Sequence, residues 1–411
     1  MIRQITGARC TLCGAVTEAH PETTVCPKCG GILDIEYDYD YIRSKVSKYD
    51  LMDRSEPTMW RYMEFLPVEG IGKTPRLRVG GSPLLRADHL AREIGLNGPL
   101  YIKDDGQNPT ASLKDRASAM AVVKAEEAGK TTIACSSTGN AASSLAGNAA
   151  RAGFKTFIFV PSRAPKGKVA QLMIFGAKVI LVEGSYEDTF RLSAEAIDHF
   201  GWYNRNAAIN PYLMEGKKTV SLEIGEQLSF KAPDYVAVSV GDGCTIAGVW
   251  KGFKDLYAAG LLDRLPRLIS VQAEGCCPIN TAAAAHTLDW VPQEENTIAD
   301  SIAVGVPRNP VKALKAIEES HGVTVNVSDE EILAAMRLVG RTSGVFAEPA
   351  GATGTAGLKK ALEQGLIERN ASVVSLVTGN GLKDVANAIR SAGEPLQLPP
   401  DMDRLLQALS S

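Results

Sequence analysis

Short apolar runs alternate with longer amphipathic ones along most of the chain. Runs at 100–103, 131–135, 156–160, 178–182, 202–206, 235–240, 267–273 and 372–378 have the length and composition of buried strands. Between them, helical periodicity predicts helices over 141–152, 167–175, 186–199, 215–229 and 246–259. Some ends carry their own signals. Ser112 is placed to cap a helix that Gly129 stops, and Gly153 ends the helix 141–152. Ser328-Asp329-Glu330-Glu331 is a capping box that opens a helix to about residue 339. Short strands separated by helices of this length mean βαβ crossovers and mostly parallel sheets, so the fold class is α/β with two sheets. No fixed-period repeat is present.

Composition narrows the function. Of 411 residues, 45% are hydrophobic and 22% charged, which is the usage of an ordered globular protein. A net charge of −3 offers no basic field for a nucleic-acid backbone. No apolar run reaches the roughly 18 residues of a membrane span, and the first residues have no apolar signal segment. The expectation is a cytoplasmic protein with no nucleic-acid or membrane partner.

Four of the eight cysteines fall in two pairs, Cys10-x2-Cys13 and Cys26-x2-Cys29, with twelve residues between them. Gly14 and Gly30 follow the pairs and suit the tight turns that gather four thiolates around one tetrahedral zinc. A closed four-cysteine set is structural, so residues 1–35 read as a zinc-ribbon-like segment. Paired redox thiols are the alternative, but they need a thioredoxin-like context that this stretch lacks. Residues 34–75 form a connector ending in Gly72-Lys73-Thr74-Pro75. Cys276-Cys277 are expected in the core.

In parallel α/β sheets, sites form where strand ends lead into helix starts. Four such loops stand out. Asn108-Pro-Thr-Ala-Ser-Leu-Lys114 puts an amine in the first turn of a helix, where the dipole disfavours its charge; it is either a solvated lysine or a Schiff-base lysine. Ser136-Ser137-Thr138-Gly139-Asn140 offers hydroxyls, an amide and free N–H groups suited to a carboxylate. Gly241-Asp242-Gly243-Cys244-Thr245 lets backbone approach a phosphate, although it matches neither the dinucleotide fingerprint nor the P-loop. Thr378-Gly379-Asn380-Gly381 adds a neutral hydroxyl at a strand end. Together these meet the needs of pyridoxal phosphate and an amino acid.

From about Gly72 to Asp384 the chain resembles the fold-type II pyridoxal-phosphate enzymes, and the threonine synthase family most closely. The resemblance rests on residues 108–116, Ser137-Thr-Gly-Asn140, Gly167-Lys-Val-Ala-Gln171, Asn210-Pro211 with Glu215-Gly216, Glu348-Pro349-Ala350 and 378–384. It implies two doubly wound α/β domains with the cofactor in their cleft, besides the zinc ribbon. A large cofactor domain would comprise 36–104 and 216–395, and a small mobile substrate domain 105–215. Lys114 would form the Schiff base and move protons. Asn140 would meet the cofactor's 3′ oxygen, Gly241, Asp242, Gly243, Cys244 and Thr245 its phosphate, and Thr378 its ring nitrogen. Ser137, Thr138 and Gly139 would clamp the substrate carboxylate, with Lys168 as a further substrate contact. The implied reaction is O-phospho-L-homoserine to L-threonine and phosphate, in a homo-oligomer, commonly a dimer.

Departures from the family pattern cluster at the substrate phosphate. Leu213 stands where the family carries an arginine, Ala207 where a serine is usual, and Ala141 where threonine is frequent. Lys217 and Lys218 either compensate or lie on a solvated helix face. Asp242 must point away from a phosphate or pair with a cation. The alternative activity is β-elimination or replacement on an unphosphorylated amino acid, as in threonine and serine dehydratases. An apolar wall at Leu213 would favour that alternative, and a lysine facing the cofactor would favour threonine synthase.

Overall fold

The computed structural model describes residues 2–72, 74–164 and 166–410, so Lys73 of the connector lies outside the described residues. Three strands at the N-terminus, β1 (Ile5–Cys10), β2 (Val16–Thr17) and β3 (Leu33–Tyr37), form an antiparallel sheet in the order β2-β1-β3. The chain then lays down β4 (Leu84–Arg86) and β5 (Leu100–Asp104) at one side of a larger sheet. It leaves to build a smaller, wholly parallel sheet from β6 (Thr132–Ser136), β7 (Lys155–Pro161), β8 (Lys178–Val182) and β9 (Tyr203–Asn204), ordered β8-β7-β6-β9. It returns for β10 (Tyr235–Ser239), β11 (Arg267–Ala273), β12 (Val323–Val327) and β13 (Val373–Val377). The larger sheet runs β12-β11-β10-β13-β5-β4 and is parallel except for β4. Every residue of β10 and β13 is buried, because helices cover both faces of a crossover-built sheet.

Several boundaries differ from the sequence pattern for local reasons. The expected strand 202–206 shortens to two residues because the Asn206 N–H donates to Asn204 Oδ1 at 2.8 Å instead of continuing the ladder. The helix expected from Ser112 begins at Lys114. Ser112 instead bridges to Gly379, and Leu113 N–H donates to the Thr378 carbonyl at 2.9 Å. Helix Pro349–Glu363 gave no periodic signal, since its small residues are buried nearly all round. A Cβ at Gly357 would lie 2.3 Å from a Val271 methyl, so only glycine allows this helix to seat on the sheet.

Helix Tyr212–Gln227 is buried from Tyr212 to Gly225 and ties the parts together. On one side Glu223 joins a buried ionic cluster. Arg116 Nε donates to Asp105 Oδ2 at 2.7 Å and Nη1 to Glu223 Oε1 at 2.6 Å, while Lys103 Nζ donates to Glu223 Oε2 at 2.6 Å. On another side the helix receives the N-terminal sheet. Tyr37 Oη donates to Glu215 Oε2 at 2.5 Å, and Lys218, paired with Glu215 and Asp255, stands 3.9 Å over the Tyr37 ring. Lys251 and Lys312 donate to the carbonyls of Ile35 and Leu33.

Two cations and two carboxylates balance in the Arg116 cluster, so removing one charge leaves another uncompensated in the interior. Glu223→Gln preserves shape and is expected to lower unfolding free energy by about 3 kcal/mol or more, measured by urea titration. A loss below about 1 kcal/mol would mean the cluster is not what holds this helix in place.

Candidate active site

The four loops singled out in the sequence converge on one cavity of about 590 Å³. Lys114, Ser137, Thr138, Gly139, Asn140, Gly241, Asp242, Gly243, Cys244, Thr245 and Thr378 all line it. Lys168 does not; its Nζ donates to Asp300 Oδ2 at 2.5 Å, and Asp300 is on the cavity wall.

Local chemistry places the lysine. Ala111 adopts φ +65°, a strained conformation for a residue with a Cβ, and the chain there is held from both sides. Asn380 N–H donates to the Ala111 carbonyl at 3.1 Å. Asp115, pushed up to about 6 chiefly by burial, accepts from the Thr110 N–H and hydroxyl and from the Asn148 amide. Lys114 therefore starts its helix against the end of β13, beside Thr378. Its amine has no hydrogen-bond or ion-pair partner among the described residues. Desolvation, then the charge of Lys217, lowers it to about 8, with Glu348 pulling the other way.

Opposite, Gly243 takes φ +85° and opens helix Cys244–Ala258. A Cβ on Gly243 would fall 2.5 Å from the Asn309 carbonyl, and one on Gly241 2.8 Å from the Ile302 backbone. The loop is thus a bare cradle of backbone at a helix start, fit for a phosphate. Asp242 does not intrude: its Oδ1 accepts from Arg308 N–H at 3.0 Å. Asn140 begins helix Asn140–Ala152 and donates from Nδ2 to Glu348 Oε1 at 2.8 Å. These residues fit pyridoxal phosphate in the chemistry of their donors: a partnerless amine, a phosphate cradle, an amide and a neutral hydroxyl.

The structure also brings in groups the sequence pattern did not single out. Arg205, Asn206, Ser239 and Glu348 line the cavity. Glu348 lay inside a quoted motif, but its contact with Asn140 depends on β13 and the 140 loop meeting. Of the two candidate lysines, Lys217 is on the wall and Lys218 is in the ion cluster with Tyr37, so neither lies on a solvated face. Leu213 packs in the apolar cluster under the small sheet and forms no cavity wall.

At the N-terminus, Cys10, Cys13, Cys26 and Cys29 bring their sulfurs within 4.8 Å of one another, a set able to hold a metal ion. Cys10–Cys29 at 3.5 Å and Cys13–Cys26 at 3.7 Å are near the ~3.8 Å edge of a tetrahedron with 2.3 Å metal–sulfur bonds. Gly14 and Gly30 both take φ +72°, closing the two turns alike.

Comparison with known proteins agrees with this geometry. The family described as pyridoxal-phosphate dependent enzyme matches residues 76–379. The threonine synthase of Methanocaldococcus jannaschii is 42% identical over 403 residues, spanning 98% of each chain. That of Methanosarcina acetivorans is 39% identical with the same coverage. Among solved structures, threonine deaminase isoform 2 from Solanum lycopersicum has a TM-score of 0.65 at 23% identity, covering 76% of this chain and 82% of its own. Diaminopropionate ammonia lyase from Escherichia coli has a TM-score of 0.65 at 21% identity, covering 83% and 92%. Fold and cavity are those of a fold-type II pyridoxal-phosphate enzyme. Within that class, the chain belongs to the threonine synthase family.

Glu348 is 4% exposed, and burial pushes it up to about 7 despite the nearby Lys114. Its folded pKa lies above its unfolded value, so ionisation opposes folding as pH rises through this window. In cofactor-free protein, Glu348→Gln is expected to raise the thermal midpoint clearly at pH 8 and only slightly at pH 5, by calorimetry. Equal midpoints at both pH values would refute the buried-carboxyl assignment.

Proposed function

We propose that this chain converts O-phospho-L-homoserine and water to L-threonine and inorganic phosphate at the cavity around Lys114. The observation that carries the reading is a partnerless lysine amine, lowered to about 8, between a phosphate cradle and a small-polar helix start. Pyridoxal phosphate, when bound, supplies an electron sink for the charge left as a proton departs a substrate carbon.

The residues divide the remaining work. Gly241 to Thr245 hold the cofactor phosphate with backbone N–H groups and the dipole of helix Cys244–Ala258. Asn140 would hold the cofactor's 3′ oxygen by its amide, and Thr378 would offer its ring nitrogen a neutral hydroxyl. Ser137, Thr138 and Gly139 receive the substrate carboxylate at the start of the following helix. Lys114, substantially neutral near pH 8, takes a proton from the substrate carbon and returns one later. In balance, the Cγ–O bond to phosphate breaks, Cβ loses one proton and takes a hydroxyl from water, Cγ gains one proton, and the proton left over goes to the departing phosphate. A lysine on the wall at position 217, with Leu213 turned into the core, supports a phosphorylated substrate over the dehydratase alternative.

In the same reading, residues 105–215 move as the substrate domain against 36–104 and 216–395, and Lys168 with Asp300 latches the two sides. Zinc held by Cys10, Cys13, Cys26 and Cys29 stabilises the ribbon. Eight cysteines without a disulfide support a cytoplasmic setting; the assembly is a homodimer.

Purified, cofactor-loaded protein is expected to release threonine and phosphate from O-phospho-L-homoserine in equal amounts. Lys114→Ala should lose this turnover and the visible absorbance of the lysine-bound cofactor. A loaded protein that instead releases 2-oxo acid from threonine or serine would overturn the substrate assignment. For the ribbon, elemental analysis is expected to find one zinc per chain, and Cys26→Ser to lose it and lower the thermal midpoint. A metal-free native protein with an unchanged midpoint in the variant would refute the zinc assignment.

A further inference from the structure

One corner of the cavity, within electrostatic reach of Cys244 in the cradle, is cationic and short of partners. Arg205 is 2% exposed, and Lys217 is 3% exposed. Neither forms an ion pair among the described residues. Arg205 Nε donates to Ser118 Oγ at 3.1 Å, but its Nη2 is buried with no partner. Asn206 is fixed by accepting the Ser136 N–H on Oδ1 at 2.8 Å, which leaves its Nδ2 buried and partnerless. Ser136 Oγ is also orphaned. All four residues line the cavity.

Buried donors are rarely left unpaired, and a desolvated guanidinium is costly without an anion. Among the described residues no carboxylate forms an ion pair with either cation, and Asp115 and Asp242 bear on Arg205 and Lys217 only at longer range. Asp242 is taken by Arg308 N–H, Asp300 by Lys168, Glu295 by Gly305 N–H and Glu348 by Asn140. Arg205 and Lys217 each also lower Lys114, which puts all three cations around one space. Fork, ammonium, amide and hydroxyl form the donor set that a phosphate monoester dianion requires.

We propose that Arg205, Lys217, Asn206 and Ser136 bind the leaving phosphate of the substrate, with Arg205 as the residue that selects for it. This rests on the cavity being the O-phospho-L-homoserine site. The guanidinium comes from the end of β9, where the chain leaves the ladder, while Leu213 on the helix fills core. A second phosphate, the cofactor's own, has the same chemistry, so the test must separate the two.

The probe is 2-amino-5-phosphonopentanoate, a non-cleavable phosphonate of matching length, titrated into cofactor-loaded full chain and followed by visible absorbance. L-Norvaline, of the same carbon length without the phosphonate, is the control. Arg205→Met is expected to weaken phosphonate binding about 30-fold or more, with norvaline binding and cofactor content unchanged and partial recovery in Arg205→Lys. Unchanged phosphonate affinity in Arg205→Met would overturn the proposal. So would a variant that loses cofactor and regains it only at high pyridoxal phosphate, because the pair would then hold the cofactor. Should Arg205→Met not fold, Lys217→Met carries the same comparison. If wild-type protein does not prefer the phosphonate to norvaline, the phospho-substrate reading itself fails, whatever the variants do.

Discussion

Arg116 is wholly buried two residues after Lys114, whose partnerless amine lines the cavity. Its guanidinium grips Asp105, at the end of β5, and Glu223, on helix Tyr212–Gln227. Lys103 and Ser82 complete the cluster. A charge network this deep is stable only when every member is satisfied, so it admits little drift in the elements that carry it. The first turn of the Lys114 helix is thereby fixed against the large sheet and against the helix that carries Lys217. From the other side, the 378–380 loop pins residues 111–113 through backbone hydrogen bonds. The amine is aimed by rigid neighbours, which is what proton transfer at a set position requires.

Helix Tyr212–Gln227 shows how one element serves three environments. Glu223 faces the Arg116 cluster, Lys217 the cavity, and Glu215 and Lys218 the N-terminal sheet. Adjacent residues on a helix point about 100° apart, so Lys217 and Lys218 part company although they are neighbours in sequence. The N-terminal sheet, which carries the four cysteines, is consequently docked one residue from the cavity lining, through Tyr37 and the ions around it.

The cavity is lined by donors from two sources. Backbone N–H groups at helix starts serve the 136–140 and 241–245 loops, where glycine at 243 permits a conformation other residues resist. Side-chain donors dominate the corner at Arg205 and Lys217, where burial strengthens each contact. Burial first, and then the charges of Lys217 and Arg205, lower the affinity of Lys114 for a proton, with Glu348 opposing them.

Strand runs at 132–136, 155–161, 235–239 and 373–377 were legible in sequence because buried parallel strands are apolar on both faces. The capping box at Ser328, the helix stop at Gly153 and the paired cysteine turns were legible because they are local chemistry. So were the four site loops, each of which couples a strand end to a helix start within a few residues. Helix Pro349–Glu363 was not legible, since a helix buried all round has no polar face to set a period. Nor could spacing alone say that Leu213 turns into the core, that Lys217 and not Lys218 meets the cavity, or that Arg205 stands there without a partner. Those outcomes depend on residues many tens of positions away, and whether a buried charge is paired is a property of packing. Sequence by itself determined which loops meet at the cavity; tertiary structure alone decided which cations face it, because burial and pairing are set by distant neighbours.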